Sequence, residues 1–166
     1  DFGYSLGVLH HIPDTLEGIR KSVEKLKPGM PFLLYLYYAF DNKPKWFRFV
    51  WKLSNYLRIY ISNRSSKTRF FLSQLIAIFI YWPLTRISKL IEKIGFGVEN
   101  FPLSYYRKYS FYSMRTDALD RFGTRLEHRF TKDEVKAMMI DAGLIDIIFS
   151  DSTPYWCAVG IKKKAS

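Results

Sequence analysis

The stretch Val8-Leu9-His10-His11-Ile12-Pro13-Asp14 decides the reading of this 166-residue chain. It follows an apolar run that starts at Asp1-Phe2 and ends at Leu6. After it, Leu16, Ile19, Val23 and Leu26 recur at helical spacing, so Thr15 to Leu26 reads as an amphipathic helix. Asp14 is placed to cap that helix, its carboxylate accepting from first-turn amides. Leu26-Lys27-Pro28-Gly29-Met30 makes a turn. Phe32 to Tyr38 then reads as a strand covered on both faces. Strand, polar loop, helix, turn, strand is one βαβ crossover, which predicts an α/β fold. Ligands of open α/β sheets bind outside the carboxyl ends of the strands. The two histidines stand at such an end.

Downstream, the residues divide the chain into three parts: a βαβ half-core at 1–40, a basic aromatic helical insertion at 41–115, and a loop, last helix and hairpin at 116–166. Between Asp41 and Arg115, 14 Lys and Arg stand against 3 Asp and Glu, and 18 of the 30 aromatic residues fall in the same segment. The remainder is electrically balanced, so the net +11 belongs to the insertion. Its pattern predicts helices over Lys45 to Ile61, Phe70 to Leu84 and Leu84 to Ile94, with a loop at Asn63 to Ser66. Bounded by Arg69 and Arg86, the apolar stretch falls short of the roughly 20 residues that a bilayer span needs. In the last part, Thr131 and Glu134 form a capping box for a helix through Ala142, closed by Gly143. Leu144 to Ser150 and Trp156 to Lys162 pair as a hairpin around Asp151 to Pro154. The Lys162-Lys163-Lys164 tail is expected to fray. The single Cys157 excludes an internal disulfide and makes no zinc site alone. The N-terminus reads as a strand without a basic leader, so a cytoplasmic or membrane-associated location is expected.

His10 and His11 are candidates for a general base or for the wall of a substrate pocket, since imidazole titrates near neutrality. The alternative is a histidine packed on the crossover helix. Glu127, His128 and Arg129 form a second polar cluster; an arginine there suits a carboxylate or phosphate, and the alternative is a solvated loop with a local ion pair. Asp14 fits a cap better than a catalyst. No metal is expected, because the three histidines lack a histidine–carboxylate spacing. The basic aromatic centre reads as a helical cap over a lipophilic acceptor, then as a membrane-surface element. Nucleic acid comes last, as no binding motif is present.

Asp1-Phe2, Val8-Leu9-His10-His11, Asp14 and Leu26-Lys27-Pro28-Gly29 resemble the second half of a class I S-adenosylmethionine-dependent methyltransferase of the methyltransferase type 11 kind, with Met30 where a second glycine is usual. Phe130-Thr131-Lys132-Asp133-Glu134-Val135 and Ala142-Gly143-Leu144 resemble that family's last helix and the start of its final hairpin. The two matches take in about half the chain. The resemblance implies a Rossmann-like sheet of which this chain supplies the last four strands, ordered four, five, seven, six. It implies S-adenosylmethionine beside Ser5, Leu6, Gly7 and Leu9. His10 or His11 would orient or deprotonate a small-molecule, lipid or glycan-precursor acceptor, and Asp14, Glu127, His128 and Arg129 would help hold it. The family's glycine-rich cofactor loop has no counterpart in this sequence, which contains no Gly-x-Gly-x-Gly. The first strand would then be an exposed edge prone to self-association. The alternative function is a non-catalytic module that docks on a membrane or a partner through its basic aromatic helices.

Overall fold

A computed structural model of the protein describes residues 1–164. Among these the fold is mixed α/β, with strands β1 (Gly3–Leu6), β2 (Pro31–Tyr35), β3 (Leu144–Phe149) and β4 (Cys157–Lys162). The helical segments are α1 (Thr15–Glu24), α2 (Lys45–Ser62), α3 (Ser66–Ile76), α4 (Trp82–Lys93), α5 (Phe111–Gly123) and α6 (Lys132–Asp141). A π turn at Ala77–Tyr81 joins α3 to α4, so the six segments make five helices. The chain forms two units, one from 1–41 with 126–166 and one from 42–125.

In the first unit the strands lie in the order β1-β2-β4-β3. β1 and β2 run parallel, Gly3 beside Phe32 and Leu6 beside Tyr35, as a crossover through α1 requires. β4 is antiparallel to both of its neighbours. Phe32, Leu34 and Leu36 are buried and pack with Ile19 and Val23 of α1 and Val135 and Met139 of α6. Both helices therefore cover one face of the sheet. The other face carries Leu33 and Tyr35, half-buried, with Tyr4 and Leu6 exposed beside them. This corrects the expectation that β2 is sealed on both sides: alternation, rather than a continuous buried run, governs the strand.

The sheet edges differ. β3 is interrupted by a bulge between Ile145 and Ile148, where Asp146 takes a left-handed φ of 52°, a feature that disfavours pairing with another chain. β1 has regular parallel pairing throughout.

Asp14 caps α1 by accepting from the Glu17 amide at 2.9 Å. Thr131 and Glu134 form the expected capping box on α6. Lys162 departs from expectation. Instead of fraying, it ends β4 and its ammonium donates to the carbonyls of Glu24 and Leu26 at 3.0 and 2.7 Å. These carbonyls at the end of α1 lack helical partners, and a cation there also complements the helix dipole.

The second unit builds its core from Ile61, Ala77, Tyr81, Met114, Ala118 and Phe122. Three of these come from α5, so the helical unit runs to Arg125 rather than stopping at 115. The break expected near Pro83 is also absent. Proline lacks an amide hydrogen and crowds the carbonyl four residues back. Here the preceding turn is widened, the Trp82 amide bonding to Ala77 five residues earlier, and the helix continues through the proline. Ser66–Lys93 is thus one helix of 28 residues, long and apolar enough by length and composition to cross a bilayer, where the sequence suggested two shorter pieces.

Candidate functional site

The carboxyl ends of the parallel strands bring three loops of the first unit together. After β1, Gly7 takes φ +69° and its amide donates to the Tyr35 carbonyl at 3.0 Å. That left-handed turn is one glycine adopts without strain, and it releases the chain into a short helical turn at Leu9–His11. The Thr15 hydroxyl fixes this turn by donating to the Leu9 carbonyl at 2.9 Å. After β2, the chain continues through Tyr37 and Tyr38. A third segment pairs with it: the Phe130 amide donates to the Tyr37 carbonyl and the Ala39 amide to the Phe130 carbonyl, each at 2.9 Å. The same segment reaches the histidine turn, where the His128 amide donates to the His10 carbonyl at 2.9 Å.

His10 is at the centre and is 0% exposed. Its ring stacks on Tyr37 at 3.7 Å between centroids and lies 4.1 Å from the His11 ring. Among the described residues, neither His10 ring nitrogen has a hydrogen-bond partner, nor does His128 Nε2. A neutral imidazole carries one donor and one acceptor, and buried groups of this kind are seldom left unpaired. Burial, joined by the charges of His11, Arg129 and His128, lowers the His10 pKa to about 3. His10 is therefore a neutral imidazole at physiological pH and a weak base. The expectation of a base titrating near neutrality at this position is corrected: the fold removes it by desolvation.

His11 suits proton chemistry better. Its Nδ1 lies 2.8 Å from the Leu126 carbonyl oxygen. A carbonyl only accepts, so Nδ1 carries a hydrogen, and in the neutral ring Nε2 is the acceptor. One hydrogen bond thus sets both the tautomer and the ring orientation.

Glu127 and Arg129 form a buried pair, with Nε to Oε1 at 2.8 Å and side chains only 3% and 12% exposed. The solvated-loop alternative is therefore corrected. The Arg129 guanidinium also donates to the Tyr38 carbonyl at 3.3 Å and lies 5.1 and 4.9 Å from the Tyr37 and Phe40 rings. Phe40 holds a left-handed φ of 59°, a conformation rare for a bulky residue and common where a site constrains the backbone. Burial raises the Tyr38 phenol to about 12 and raises Tyr35 as well. Both remain protonated.

Of the residues expected from sequence, His10, His11, Glu127, His128 and Arg129 meet here. Leu9 and Gly7 shape the turn beneath them. Asp14 is occupied as a helix cap, and Leu6 is exposed on the open face of the sheet. Ser5 faces the helix-covered side, in register with Leu34. Sequence reasoning missed Tyr37, Phe40 and Asp41. The Asp41 carboxylate accepts from Trp156 Nε1 at 2.9 Å and from the Lys132 amide at 3.1 Å, tying the loop after β2 to β4 and to the start of α6. Their signal is faint: three residues beyond a strand end, two aromatic and one acidic. Cys157 is half-buried, its thiol pKa raised by burial. Among the described residues no three histidine, cysteine or carboxylate side chains gather to hold a metal ion. No protein-family model, curated protein or solved structure matches this chain.

Proposed function

We propose that this chain carries the acceptor side of an S-adenosylmethionine-dependent methyltransferase acting on a hydroxyl of a small, lipid-like or glycan-precursor molecule. The observation that carries the reading is the histidine pair at the ends of two parallel strands: His10 buried, neutral and unpaired, and His11 fixed as the Nδ1–H tautomer by Leu126. The strand order β1-β2-β4-β3, with a parallel first pair and an antiparallel β4, is the arrangement the family resemblance implies and supports the reading.

The residues present fit the methionine end of such a cofactor. Gly7 turns the backbone at a strand end, and the buried unpaired nitrogens of His10 and His128 supply polar atoms for a bound group. The residues for its adenosine end would lie outside this sequence. When bound, the cofactor supplies an electrophilic methyl group. His11 Nε2 accepts the proton of the acceptor hydroxyl, and the Leu126 carbonyl stabilises the imidazolium through Nδ1–H. His10 packs between Tyr37 and His11 and holds the His11 ring in place. The Glu127–Arg129 pair and the Arg129 bond to the Tyr38 carbonyl hold the loop beside the histidines.

The test is equilibrium dialysis of methyl-tritiated S-adenosylmethionine against the polypeptide at its natural length, followed by transfer to a total lipid extract. Binding is expected, with transfer falling about 100-fold in His11→Ala, within the range for loss of a general base. No binding of the cofactor would overturn the reading.

A further inference from the structure

We infer that the helical unit of residues 42–125 docks on an anionic phospholipid bilayer, lying in the interface with its outward aromatic and aliphatic rows inserted. This stands independently of the methyl-transfer reading.

Beyond its small apolar core, this unit departs from a water-facing bundle in where it places its remaining residues. Of the 28 large hydrophobic side chains that are exposed among the described residues, 21 belong to it. Its buried polar residues are Arg58, Ser62, Ser73, Thr85 and Ser88. Small and polar residues between helices, with large apolar ones turned outward, are what association in a lipid environment favours. A water-facing helix places them the other way round.

The rows are continuous. On α2, Trp46, Phe49, Leu53, Tyr56 and Tyr60 recur three or four residues apart along one face, and all are exposed, Phe49 by 69% and Tyr56 by 73%. On the opposite face Arg58 turns inward, bonding to the Thr124 carbonyl at 2.8 Å. On α4 and the residue that ends it, Ile87, Leu90 and Ile94 form an exposed apolar row. Arg86, Lys89 and Lys93, each one residue earlier, form an exposed basic row directly beside it. The Arg86 guanidinium lies 3.7 Å over the Trp82 ring. An apolar row flanked by long cations lets the former enter the acyl boundary while the latter reach phosphate.

Charge selects the partner. The unit holds 16 Lys and Arg against 4 Asp and Glu. An exposed apolar area of this extent in water would aggregate, and neutral lipid would leave the cations unmatched; an anionic bilayer satisfies both. The geometry also favours lying over spanning. α5 packs along α3 and carries Arg115, Asp117 and Arg121, with Asp117 accepting from the Tyr81 hydroxyl at 3.0 Å and Arg115 bonded to Gln74. Spanning would take these charges through the hydrocarbon, at large cost.

The experiment is co-sedimentation of the chain with phosphatidylcholine vesicles carrying about 30 mol% phosphatidylserine, at about 0.1 M and 0.5 M salt. Binding to the anionic vesicles at the lower salt is expected, with much weaker binding at the higher salt and to phosphatidylcholine alone. Arg86→Gln/Lys89→Gln/Lys93→Gln is expected to weaken binding about 100-fold, at roughly five-fold per cation near the surface. Lys163→Gln/Lys164→Gln, which removes charge from the first unit, is expected to change it less than two-fold. Because every replaced side chain is exposed, folding is checked by circular dichroism. A second readout needs no variant: brominated lipids are expected to quench Trp46 and Trp82. Absence of anionic-vesicle binding would overturn the inference. So would sedimentation without quenching, or binding that RNA abolishes while the tryptophans stay unquenched, since either places the surface against something other than the acyl boundary.

Discussion

His10 gives the fold a defined acid sensitivity. In the unfolded chain its imidazole titrates near 6.5, and in the folded chain burial, with smaller Coulombic contributions from His11, Arg129 and His128, lowers it to about 3. Between those values the unfolded state binds one more proton than the folded state, so stability falls as pH falls. Above 6.5 the imidazole is neutral in both states and the contribution is complete. Each pH unit below that removes about 1.4 kcal/mol, and the loss stops near pH 3. Going from about pH 7.5 to about pH 4.5 therefore removes about 2–3 kcal/mol through this one residue, a large share of a typical 5–15 kcal/mol. The perturbation that isolates it is His10→Asn, which cannot titrate. Urea unfolding of both chains, followed by Trp156 fluorescence with Trp46, Trp51 and Trp82 replaced by Phe, reads the first unit alone. The difference between the two profiles is expected to shrink by about 2–3 kcal/mol over that pH range, since all other titrating groups are common to both chains. Parallel profiles would refute the reasoning, because they would mean that His10 is protonated or solvated in the folded state.

Arg129→Met leaves the Glu127 carboxylate buried without its cation and is expected to destabilise the first unit by about 3–5 kcal/mol. Glu127→Gln keeps an acceptor for the guanidinium and is expected to lose about 1–3 kcal/mol; urea midpoints compare the two, and equal losses would contradict a desolvated pair. Thr131→Ala removes half of the α6 capping box and is expected to cost about 1 kcal/mol in the same assay. The regular edge of β1, with Tyr4 and Leu6 exposed along it, is expected to pair with a second copy at tens of micromolar. Tyr4→Lys/Leu6→Lys is expected to shift light scattering to the monomer mass, and a wild-type chain that is already monomeric would remove this expectation.

The crossover is legible in the sequence because Ile19 and Val23 keep helical spacing and Pro28-Gly29 stops the helix. The histidine turn is legible because position alone puts it at a strand end. The burial of Glu127 and Arg129 is not, since two charges two residues apart read as solvent-facing until Tyr37 and Phe40 are seen to flank the guanidinium. Nor is the tautomer of His11, which depends on a carbonyl 115 residues away. The continuity of α3 and α4 is hidden because proline normally ends a helix, and only the widened turn before Pro83 removes the clash. Lys162 looks like a loose tail until the end of α1 is placed beside it.

That last contact has a consequence for synthesis. β4, the fourth of these strands in chain order, lies between β2 and β3, and its last lysine seals the end of α1. As the ribosome proceeds, β1, α1 and β2 emerge before β4, and β2 lacks its second neighbour until about 120 further residues have followed, a long loop closure that slows assembly. The intervening helices, by contrast, make their contacts locally and can compact while translation continues. Nascent chains stalled before Cys157 should therefore display protease-resistant helices and a labile β1-α1-β2 segment.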